Sequence, residues 1–366
     1  MSMHQSLFTN FCAALNFAAA NLPPVNLAAA LLLPLLLAAQ TLRADGTAYA
    51  PAYRVYVTNE FGGTLSVVDG RTGMVTATVD LGKRPRGLKI APDGRALYVA
   101  LSGSPIAGPG VDEKSLPPPD KSADGIGIVD TKSLRLNRVL RGASDPEQLA
   151  VSPDGKHLFV ASEDTGAALM MDAGKGTILY RAAVGGEPEG VAVSPDARQV
   201  FVTSEESGTV TALDARTYHV LAKISVGQRP RGIAFSPDGS RVYVTCENDG
   251  NLVILDAHKH TTTGTVHFTG HNARPMGVVV SGDGAMIYVT TGRGKTVEAV
   301  DAASLAVARS VEVGDRPWGI ALSPDAARIY TANGPSDDVS VIDAASFQVL
   351  MKVKTPGRPW GVVTGP

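Results

Sequence analysis

The segment Arg229–Gly270 reads RPRGIAFSPDGSRVYVTCENDGNLVILDAHKHTTTGTVHFTG and contains four short apolar runs separated by clusters of Gly, Asp, Asn and Pro. The runs alternate, are rich in β-branched residues and are too short for helices, so they predict strands. The expected strands are Gly232–Ser236, Arg241–Thr245, Asn251–Asp256 and Thr263–Phe268. The SPDG at Ser236–Gly239 fits a type I turn between the first two strands. The segment therefore predicts one four-stranded antiparallel sheet.

The same unit recurs along the chain. A proline followed two residues later by Gly or its equivalent occurs at Pro85, Pro146, Pro188, Pro230, Pro275, Pro317 and Pro359. The successive spacings are 61, 42, 42, 45, 42 and 42 residues. One such sheet cannot bury both of its faces, whereas seven sheets stacked around an axis can. We therefore predict an all-β fold, a seven-bladed β-propeller of four-stranded antiparallel blades.

The two ends of the repeat are complementary fragments. The first unit starts at Arg54 with its second strand, and the last unit, which starts at Arg358, stops after its first strand. One C-terminal strand and three N-terminal strands would complete a single blade, with Gly361–Thr364 beside Arg54–Thr58. This closure leaves no open sheet edge in the ring. We expect one propeller domain over residues 45–366, with an inserted loop at 102–125.

The N-terminal segment, residues 1–44, has a different composition. Residues 1–42 contain no Lys, Arg, Asp or Glu, and Leu27–Ala39 is an apolar run. That run is too short to span a bilayer and is typical of a signal-peptide core. We predict a periplasmic or secreted protein without a membrane span, cleaved near Ala39–Ala44. Processing would leave Cys246 as the remaining cysteine, which excludes an internal disulfide and a CxxCH haem attachment.

Three motifs in phase suggest a family. The YVTN at Tyr56–Asn59, with the SPDG and RPxG motifs, resembles the YVTN family of seven-bladed propellers. The sequences DPEQ, EPEG, RPRG and RPWG, which start at Asp145, Glu187, Arg229 and Arg316, are similar to the propellers associated with PQQ-dependent catabolism. The resemblance covers roughly residues 52–366 and implies work beside periplasmic quinoprotein dehydrogenases and their electron acceptors. Because propellers host many unrelated activities, these motifs specify the fold more closely than the function.

One end of the predicted ring differs from blade to blade. Antiparallel strand order places the loop before each inner strand and the loop after each second strand at this end, which we call the rim. The SPDG and Asp turns of the opposite end are nearly uniform. Both tryptophans of the chain belong to the rim and would lie side by side at the channel mouth, and Trp and Arg are enriched in recognition surfaces. The candidate binding residues are Arg84, Arg86, Glu147, Glu189, Arg229, Arg231, Arg274, Arg316, Trp318, Arg358 and Trp360.

Other interpretations of the rim stay open at this point. Its charges could instead form ion pairs between blades, with Glu60, Glu163, Glu205 or Glu247 as partners. Carboxylates could also gather a calcium ion, because hard oxygen ligands suit that cation; the candidates are Asp145, Glu147, Glu187 and Glu189. The inserted loop, which leaves a second strand, belongs to the same end and is either functional or a solvated insertion.

No catalytic constellation is recognisable in the sequence. It contains no GxSxG, HExxH or Walker-type motif, and its histidines lack ligand spacing. A formal net charge of −2 gives no global electrostatic case for nucleic acid. We therefore predict a non-catalytic, monomeric binding or scaffold protein without metal or cofactor, whose protein partner or small ligand binds at the tryptophan-bearing end. The resemblance implies a quinoprotein dehydrogenase or its electron acceptor as the partner.

Two alternatives remain for the function. The first is a lactonase-type hydrolase or a redox enzyme, since both chemistries occur on seven-bladed rings. The second is single-stranded nucleic-acid binding, in which Trp318 and Trp360 would stack on bases while the arginines of the rim contact phosphates. The acidic sequences of two adjacent blades argue against the second alternative.

Overall fold

The computed structural model describes residues 53–106 and 115–366 and confirms the seven-bladed propeller. These residues form seven four-stranded antiparallel sheets. The strands are β1 Arg54–Asn59, β2 Thr64–Asp69, β3 Val75–Asp80, β4 Pro85–Ile90, β5 Ala96–Leu101, β6 Gly125–Asp130, β7 Arg135–Leu140, β8 Pro146–Val151, β9 His157–Ser162, β10 Ala167–Asp172, β11 Ile178–Ala183, β12 Pro188–Val193, β13 Gln199–Ser204, β14 Thr209–Asp214, β15 Val220–Ser225, β16 Pro230–Phe235, β17 Arg241–Cys246, β18 Asn251–Asp256, β19 Thr261–His267, β20 Val278–Val280, β21 Met286–Thr290, β22 Thr296–Asp301, β23 Val307–Glu312, β24 Pro317–Leu322, β25 Arg328–Asn333, β26 Asp338–Asp343, β27 Gln348–Lys354 and β28 Pro359–Gly365. Short 3-10 turns lie at Glu163–Thr165 and Gly292–Gly294.

The first blade is closed by the two ends of the propeller. Blade 1 has the strand order β28-β1-β2-β3, and β28 pairs antiparallel with β1 in a register that sets Arg54 opposite Gly365 and Val57 opposite Val362. Blades 2 to 7 follow in chain order as β4–β7, β8–β11, β12–β15, β16–β19, β20–β23 and β24–β27. The inner strands of neighbouring blades contact one another around the whole ring. The predicted closure by one C-terminal and three N-terminal strands is therefore confirmed.

The hydrophobic core lies between blades. Each of the seven core clusters combines side chains of two adjacent sheets. The cluster around Tyr243, for example, joins Leu252 and Ile254 of blade 5 to Ile287 and Val289 of blade 6. A single blade would leave these faces exposed to water, so burial of apolar area favours the complete ring.

A threonine and a glycine fix the backbone of the rim. The Thr58 hydroxyl of blade 1 donates to the carbonyl oxygen of Arg86 in blade 2 at 2.7 Å and accepts from the Gly361 N–H at 2.9 Å. A Cβ on Gly361 would lie 2.7 Å from the same Arg86 oxygen, which only glycine avoids. Thr203 repeats the arrangement with the Arg231 carbonyl at 2.9 Å and the Gly190 N–H at 2.7 Å. The Thr and Gly of the repeat therefore set the position of the rim residue in the next blade.

The opposite end of the ring has uniform turns. In blade 5 the Ser236 hydroxyl donates to Asp238 at 2.5 Å and accepts from the Arg241 N–H at 2.9 Å, and Gly239 has φ of 72°. The predicted turn between the first two strands is therefore present. The serine hydroxyl and the Ser240 backbone N–H hold the pKa of Asp238 at about 2, below its usual value.

The compact unit that contains the propeller spans Ala52–Pro366. The predicted signal peptide lies outside the described residues. Within residues 53–106 and 115–366, no helix is long and apolar enough to cross a membrane. Cys246 is buried on β17 as a free thiol.

Candidate ligand-binding cavity at the channel mouth

A cavity of about 620 Å³ opens at the rim, where the channel of the ring begins. Its lining combines residues that flank the repeated prolines with residues from the loops after the second strands. Ser104, Pro105, Ile106 and Leu116 also line it, so the described parts of the inserted loop lie at the end that the strand order predicts. A narrower space of about 100 Å³, lined among others by Lys89, Gln148 and Met276, adjoins the cavity at Trp318 and Trp360.

The two tryptophans lie side by side in this cavity. The ring centroids of Trp318 and Trp360 are 5.4 Å apart and the ring planes are 26° from parallel. Trp360 is 5% exposed, whereas Trp318 is only partly buried. The guanidinium carbons of Arg231 and Arg316 lie 4.9 and 5.0 Å from the ring centroid of Trp318. The stacking follows from the repeat, because blades 7 and 1 are neighbours and carry tryptophan at the same position.

Arg86 is the centre of one acidic cluster. It is 1% exposed and pairs with Asp145 and Glu147 of blade 3, and its Nη1 lies 3.7 Å from Glu163. Its Nη2 also donates to the carbonyl oxygen of Pro146 at 3.0 Å. Burial lowers the pKa of Arg86. Burial opposes ionisation of Asp145 as well, but Arg86 and the Ser102 and Ser104 hydroxyls hold the pKa of this carboxyl below its usual value.

Arg231 is the centre of a second acidic cluster. It contacts Glu189 at 2.8 Å, Glu205 at 2.5 Å and Glu247 at 2.6 Å. Arg229 adds a second guanidinium, 2.6 Å from Glu205 and 3.6 Å from Glu247. Burial alone would lower the pKa of Arg231, but the three carboxylates raise it. Arg84 likewise pairs with Glu60 at 2.8 Å. Four of the predicted rim arginines therefore form ion pairs, and their partners include the four glutamates that the sequence suggested for pairing between blades.

Two carboxyl groups in the cavity have strongly raised pKa values. Burial and the negative charge of Glu189 raise the pKa of Glu205 to about 9. Burial, opposed by Arg86 and assisted by Asp145, raises the pKa of Glu163 to about 7. Glu189 is also buried, but Arg231 keeps its pKa below the usual value. Burial and the nearby charge of Glu189 therefore disfavour the ionised form of Glu205, while Arg231 favours the ionised form of Glu189.

Three further arginines of the cavity form no ion pair with a carboxylate of the described residues. Among the described residues, no carboxylate lies within ion-pair distance of Arg293, Arg316 or Arg358, all of which line the cavity. Arg358 instead stands over the Phe61 ring, 4.1 Å from its centroid. Burial lowers the pKa of Arg316, and the positive charges of Arg231 and Arg293 lower it further although Glu247 opposes them. Arg274, the other candidate, donates to the side chain of Asn248 at 2.8 Å.

The acidic candidates for a calcium site are only partly brought together. In the described part of the chain, ligand atoms of Asp145, Glu147 and Glu163 lie within 4.8 Å of one another. Arg86 forms ion pairs with all three carboxylates, so a guanidinium already occupies the place of a cation. Glu187 and Glu189 are not part of this group.

The backbone of the rim adopts an uncommon conformation. The residue before the repeated proline has φ between 43° and 57° in six blades, with Arg274 as the exception; the residues are Arg84, Asp145, Glu187, Arg229, Arg316 and Arg358. Non-glycine residues seldom occupy this region. Hydrogen bonds compensate: the carbonyl oxygens of Arg358, Glu187 and Arg229 accept from the N–H groups of Glu60, Glu205 and Glu247 at 2.9, 2.9 and 3.0 Å. Each rim side chain is therefore presented in a defined direction.

Sequence reasoning missed several lining residues, among them Phe61, Arg293, Ile106 and Leu116. A signal for Arg293 exists in the repeat. In blades 1, 3, 4 and 5 a glutamate directly follows the second strand. At the equivalent position of the repeat, blades 6 and 7 carry Gly292 and Gly334. The missing glutamates of blades 6 and 7, together with Arg293 directly after Gly292, indicate from the sequence where the cavity is positively charged.

Comparisons with known proteins support the fold. The family model "Lactonase, 7-bladed beta-propeller" matches residues 217–351, and that of the "Choice-of-anchor I domain" matches residues 147–280. Each match covers less than half of the chain, so it shows what these repeats are similar to. A comparison with curated proteins finds no match to the sequence.

Solved structures give the same picture. Kuenenia stuttgartiensis hydrazine synthase is similar with a TM-score of 0.69 and 20% identity, over 83% of this chain and 94% of that one. A functionally unknown protein of Desulfotomaculum acetoxidans is similar with a TM-score of 0.70 and 17% identity, over 86% of this chain and 98% of that one. A Lactobacillus plantarum protein has a TM-score of 0.68 and 18% identity, over 86% and 100%. At these identities the likeness concerns the fold alone.

Proposed function

We propose that this protein is a non-catalytic propeller that binds a small ligand in the cavity at the channel mouth. The observation that carries the proposal is the stacked pair of Trp318 and Trp360 in that cavity, with Arg231 and Arg316 over the face of Trp318. A volume of about 620 Å³ is within the range of small-molecule sites. Aromatic rings and arginines are also the residues that most often dominate binding energy.

We further propose that the protein is exported and assists quinoprotein dehydrogenases of the periplasm. The apolar run Leu27–Ala39 supports export, because its length and composition suit a signal-peptide core. The rim sequences at Asp145, Glu187, Arg229 and Arg316 support the setting through their similarity to propellers associated with PQQ-dependent catabolism. A dehydrogenase or its electron acceptor would be the protein partner in this setting.

Intrinsic fluorescence tests the binding proposal directly. The chain contains two tryptophans and both line the cavity, so their emission reports on this site alone. We would titrate the purified protein with small aromatic and aliphatic compounds that are anionic, neutral or cationic. At least one compound should change the emission saturably, and calorimetry should show the same binding retained in Asp238→Asn but weakened in Trp318→Ala. If no compound gives a saturable signal by either method, the proposal is wrong.

A lactonase-like hydrolase is the second candidate. The family model of seven-bladed lactonases matches residues 217–351. In addition, Glu205, with a pKa of about 9, and the ionised Glu189 form an acid beside a carboxylate, an arrangement that acid–base catalysis uses. The test is to incubate the protein with a panel of lactones and to monitor hydrolysis through the protons that it releases. Turnover by the wild type that Glu205→Gln abolishes would establish the hydrolase and contradict the non-catalytic proposal.

A further inference from the structure

The rim follows a pairing rule between neighbouring blades. Where an arginine precedes the repeated proline and the preceding blade carries a glutamate after its second strand, the two pair in blades 2 and 5, whereas Arg274 of blade 6 donates to Asn248 instead. Arg84 of blade 2 pairs with Glu60 of blade 1 at 2.8 Å, and Arg229 of blade 5 pairs with Glu205 of blade 4 at 2.6 Å. Each glutamate belongs to the loop that follows a second strand. Each contact gives a partly buried guanidinium of the rim a carboxyl group as hydrogen-bond acceptor.

At two further blades, which are adjacent, the glutamate itself is missing. The positions that would supply glutamates to Arg316 and Arg358 are Gly292 and Gly334. Within the described ranges, neither arginine has a carboxylate at ion-pair distance, and both guanidinium groups lie over aromatic rings instead. Arg293, directly after Gly292, adds a third guanidinium to the same side of the cavity. Among residues 53–106 and 115–366, the cavity therefore has a positive side on which these three guanidinium groups form no ion pair.

Electrostatics favour an anion at this place. Burial lowers the pKa of Arg316, Glu247 opposes this effect, and the positive charges of Arg231 and Arg293 act against the protonated form. An entering carboxylate would relieve this repulsion and accept paired hydrogen bonds from a guanidinium. Because Arg293, Arg316 and Arg358 project from three different segments around the cavity, a ligand with more than one carboxylate can engage more than one of them.

The same side of the cavity is aromatic. Trp318, Trp360 and Phe61 lie among the three arginines, and Ile106 and Leu116 of the inserted loop line the cavity as well. A flat ring would be stabilised by packing against the partly exposed Trp318 and by exclusion of water from apolar surface. On the strength of the binding function proposed above, we infer that the ligand is an aromatic polycarboxylate, whose ring stacks near Trp318 while its carboxylates pair with Arg316 and Arg358.

Gly334 offers a test that the chain itself suggests. A Cβ built on Gly334 would meet only the Pro359 carbonyl oxygen at 3.5 Å, an ordinary contact, and no left-handed φ prevents substitution. Gly292 is unsuitable, because it has φ of 52° and its Cβ would approach the Arg274 oxygen to 2.7 Å. Gly334→Glu should supply Arg358 with the carboxylate that Glu60 supplies to Arg84. Gly334→Gln has nearly the same size without the charge and is the matched control.

The experiment measures binding of four probes by calorimetry and tryptophan emission. Benzene-1,3,5-tricarboxylate is the aromatic anion, citrate the aliphatic anion, benzyl alcohol the neutral aromatic and benzyltrimethylammonium the cationic aromatic. We expect the aromatic tricarboxylate to bind at least about tenfold more tightly than each of the others. Gly334→Glu and the double variant Arg316→Gln/Arg358→Gln should each weaken its binding by about tenfold or more, whereas Gly334→Gln and Arg198→Gln at the opposite end should retain it.

The outcomes separate the inference from the function on which it rests. If citrate, benzyl alcohol or benzyltrimethylammonium binds as tightly as the tricarboxylate or more tightly, the ligand is not an aromatic polycarboxylate. The proposed binding function would still stand. The inference also falls if Gly334→Glu and Gly334→Gln bind the tricarboxylate equally. Absence of binding by all four probes overturns the inference, and the proposed binding function falls only if the wider panel of compounds also gives no signal. Circular dichroism spectra that match the wild type are required of every variant.

Discussion

Trp318 and Trp360 stack with ring centroids 5.4 Å apart although 42 residues separate them in the chain. They meet because one belongs to blade 7 and the other to the strand that closes blade 1. The closing strand therefore carries part of the candidate site as well as part of the ring. Stability and binding are coupled through β28.

Deletion of Arg358–Pro366 should open the ring. The deletion removes β28, exposes the edge of β1 and uncovers apolar side chains of blades 2 and 7 that pack on it. We expect a loss of more than about 4 kcal/mol in the free energy of unfolding, because a complete inner strand and its packing disappear. Thermal unfolding followed by circular dichroism measures this. A truncated protein with the same melting temperature as the full chain would disprove the closure.

Thr203→Val should destabilise the joint between blades 4 and 5. The buried hydroxyl accepts from the Gly190 N–H and donates to the Arg231 carbonyl oxygen, and valine leaves both groups without this partner. A loss of about 1–3 kcal/mol in the free energy of unfolding is expected from urea denaturation. Thr203→Ser retains the hydroxyl and is the control. Equal stability of the valine variant and the wild type would refute this role of the threonine.

Trp318→Ala should weaken ligand binding by about thirtyfold, the usual effect of about 2 kcal/mol from an aromatic anchor. Trp318 is partly exposed, so the single variant should remain folded, whereas Trp318→Ala/Trp360→Ala should abolish binding at some cost in stability, because Trp360 is 5% exposed. Calorimetry with benzene-1,3,5-tricarboxylate gives the affinities. Asp238→Asn, at the opposite end, should bind as the wild type does. Normal binding by a folded double variant would assign the tryptophans to interblade packing.

The stability of the wild type should depend on pH through Glu205. Its pKa rises from 4.5 to about 9 on folding, so the folded state binds a proton that the unfolded state releases between these values. The contribution of Glu205 to stability therefore falls as pH rises from about 4.5 to about 9. Relative to Glu205→Gln, the wild type should lose unfolding free energy across this range in denaturation experiments. A constant difference between the two proteins would contradict the raised pKa.

Export should be visible as cleavage near Ala39–Ala44. The apolar run Leu27–Ala39 ends at the first residue of this segment, and Ala38, Ala39 and Ala44 are small residues of the kind found at signal-peptidase sites. N-terminal sequencing of the protein from a periplasmic fraction is the measurement. Recovery of the intact chain from the cytoplasm would reject the prediction.

Sequence alone determined the architecture. Seven in-phase marks, strand-length apolar runs and complementary end fragments were sufficient for seven blades and for the closure at Arg54 and Pro359, because period and strand alternation are encoded locally. The strand bounds differ from prediction only at the ends: Asn251–Asp256 is identical, while the inner strand starts at Pro230 instead of Gly232. Even the adjacency of Trp318 and Trp360 follows from the repeat.

Only the tertiary structure decided which rim residues are available to a ligand. Arg86 follows the repeated proline of its blade and Arg316 precedes that of another blade. Arg86 is enclosed by three carboxylates, whereas Arg316 has none at ion-pair distance among the described residues. An ion pair requires two side chains from different blades to meet within a few ångströms, and the raised pKa of Glu205 requires burial beside Glu189 as well. The repeat sequence predicts neither these distances nor this burial, because both depend on how neighbouring blades pack around the channel.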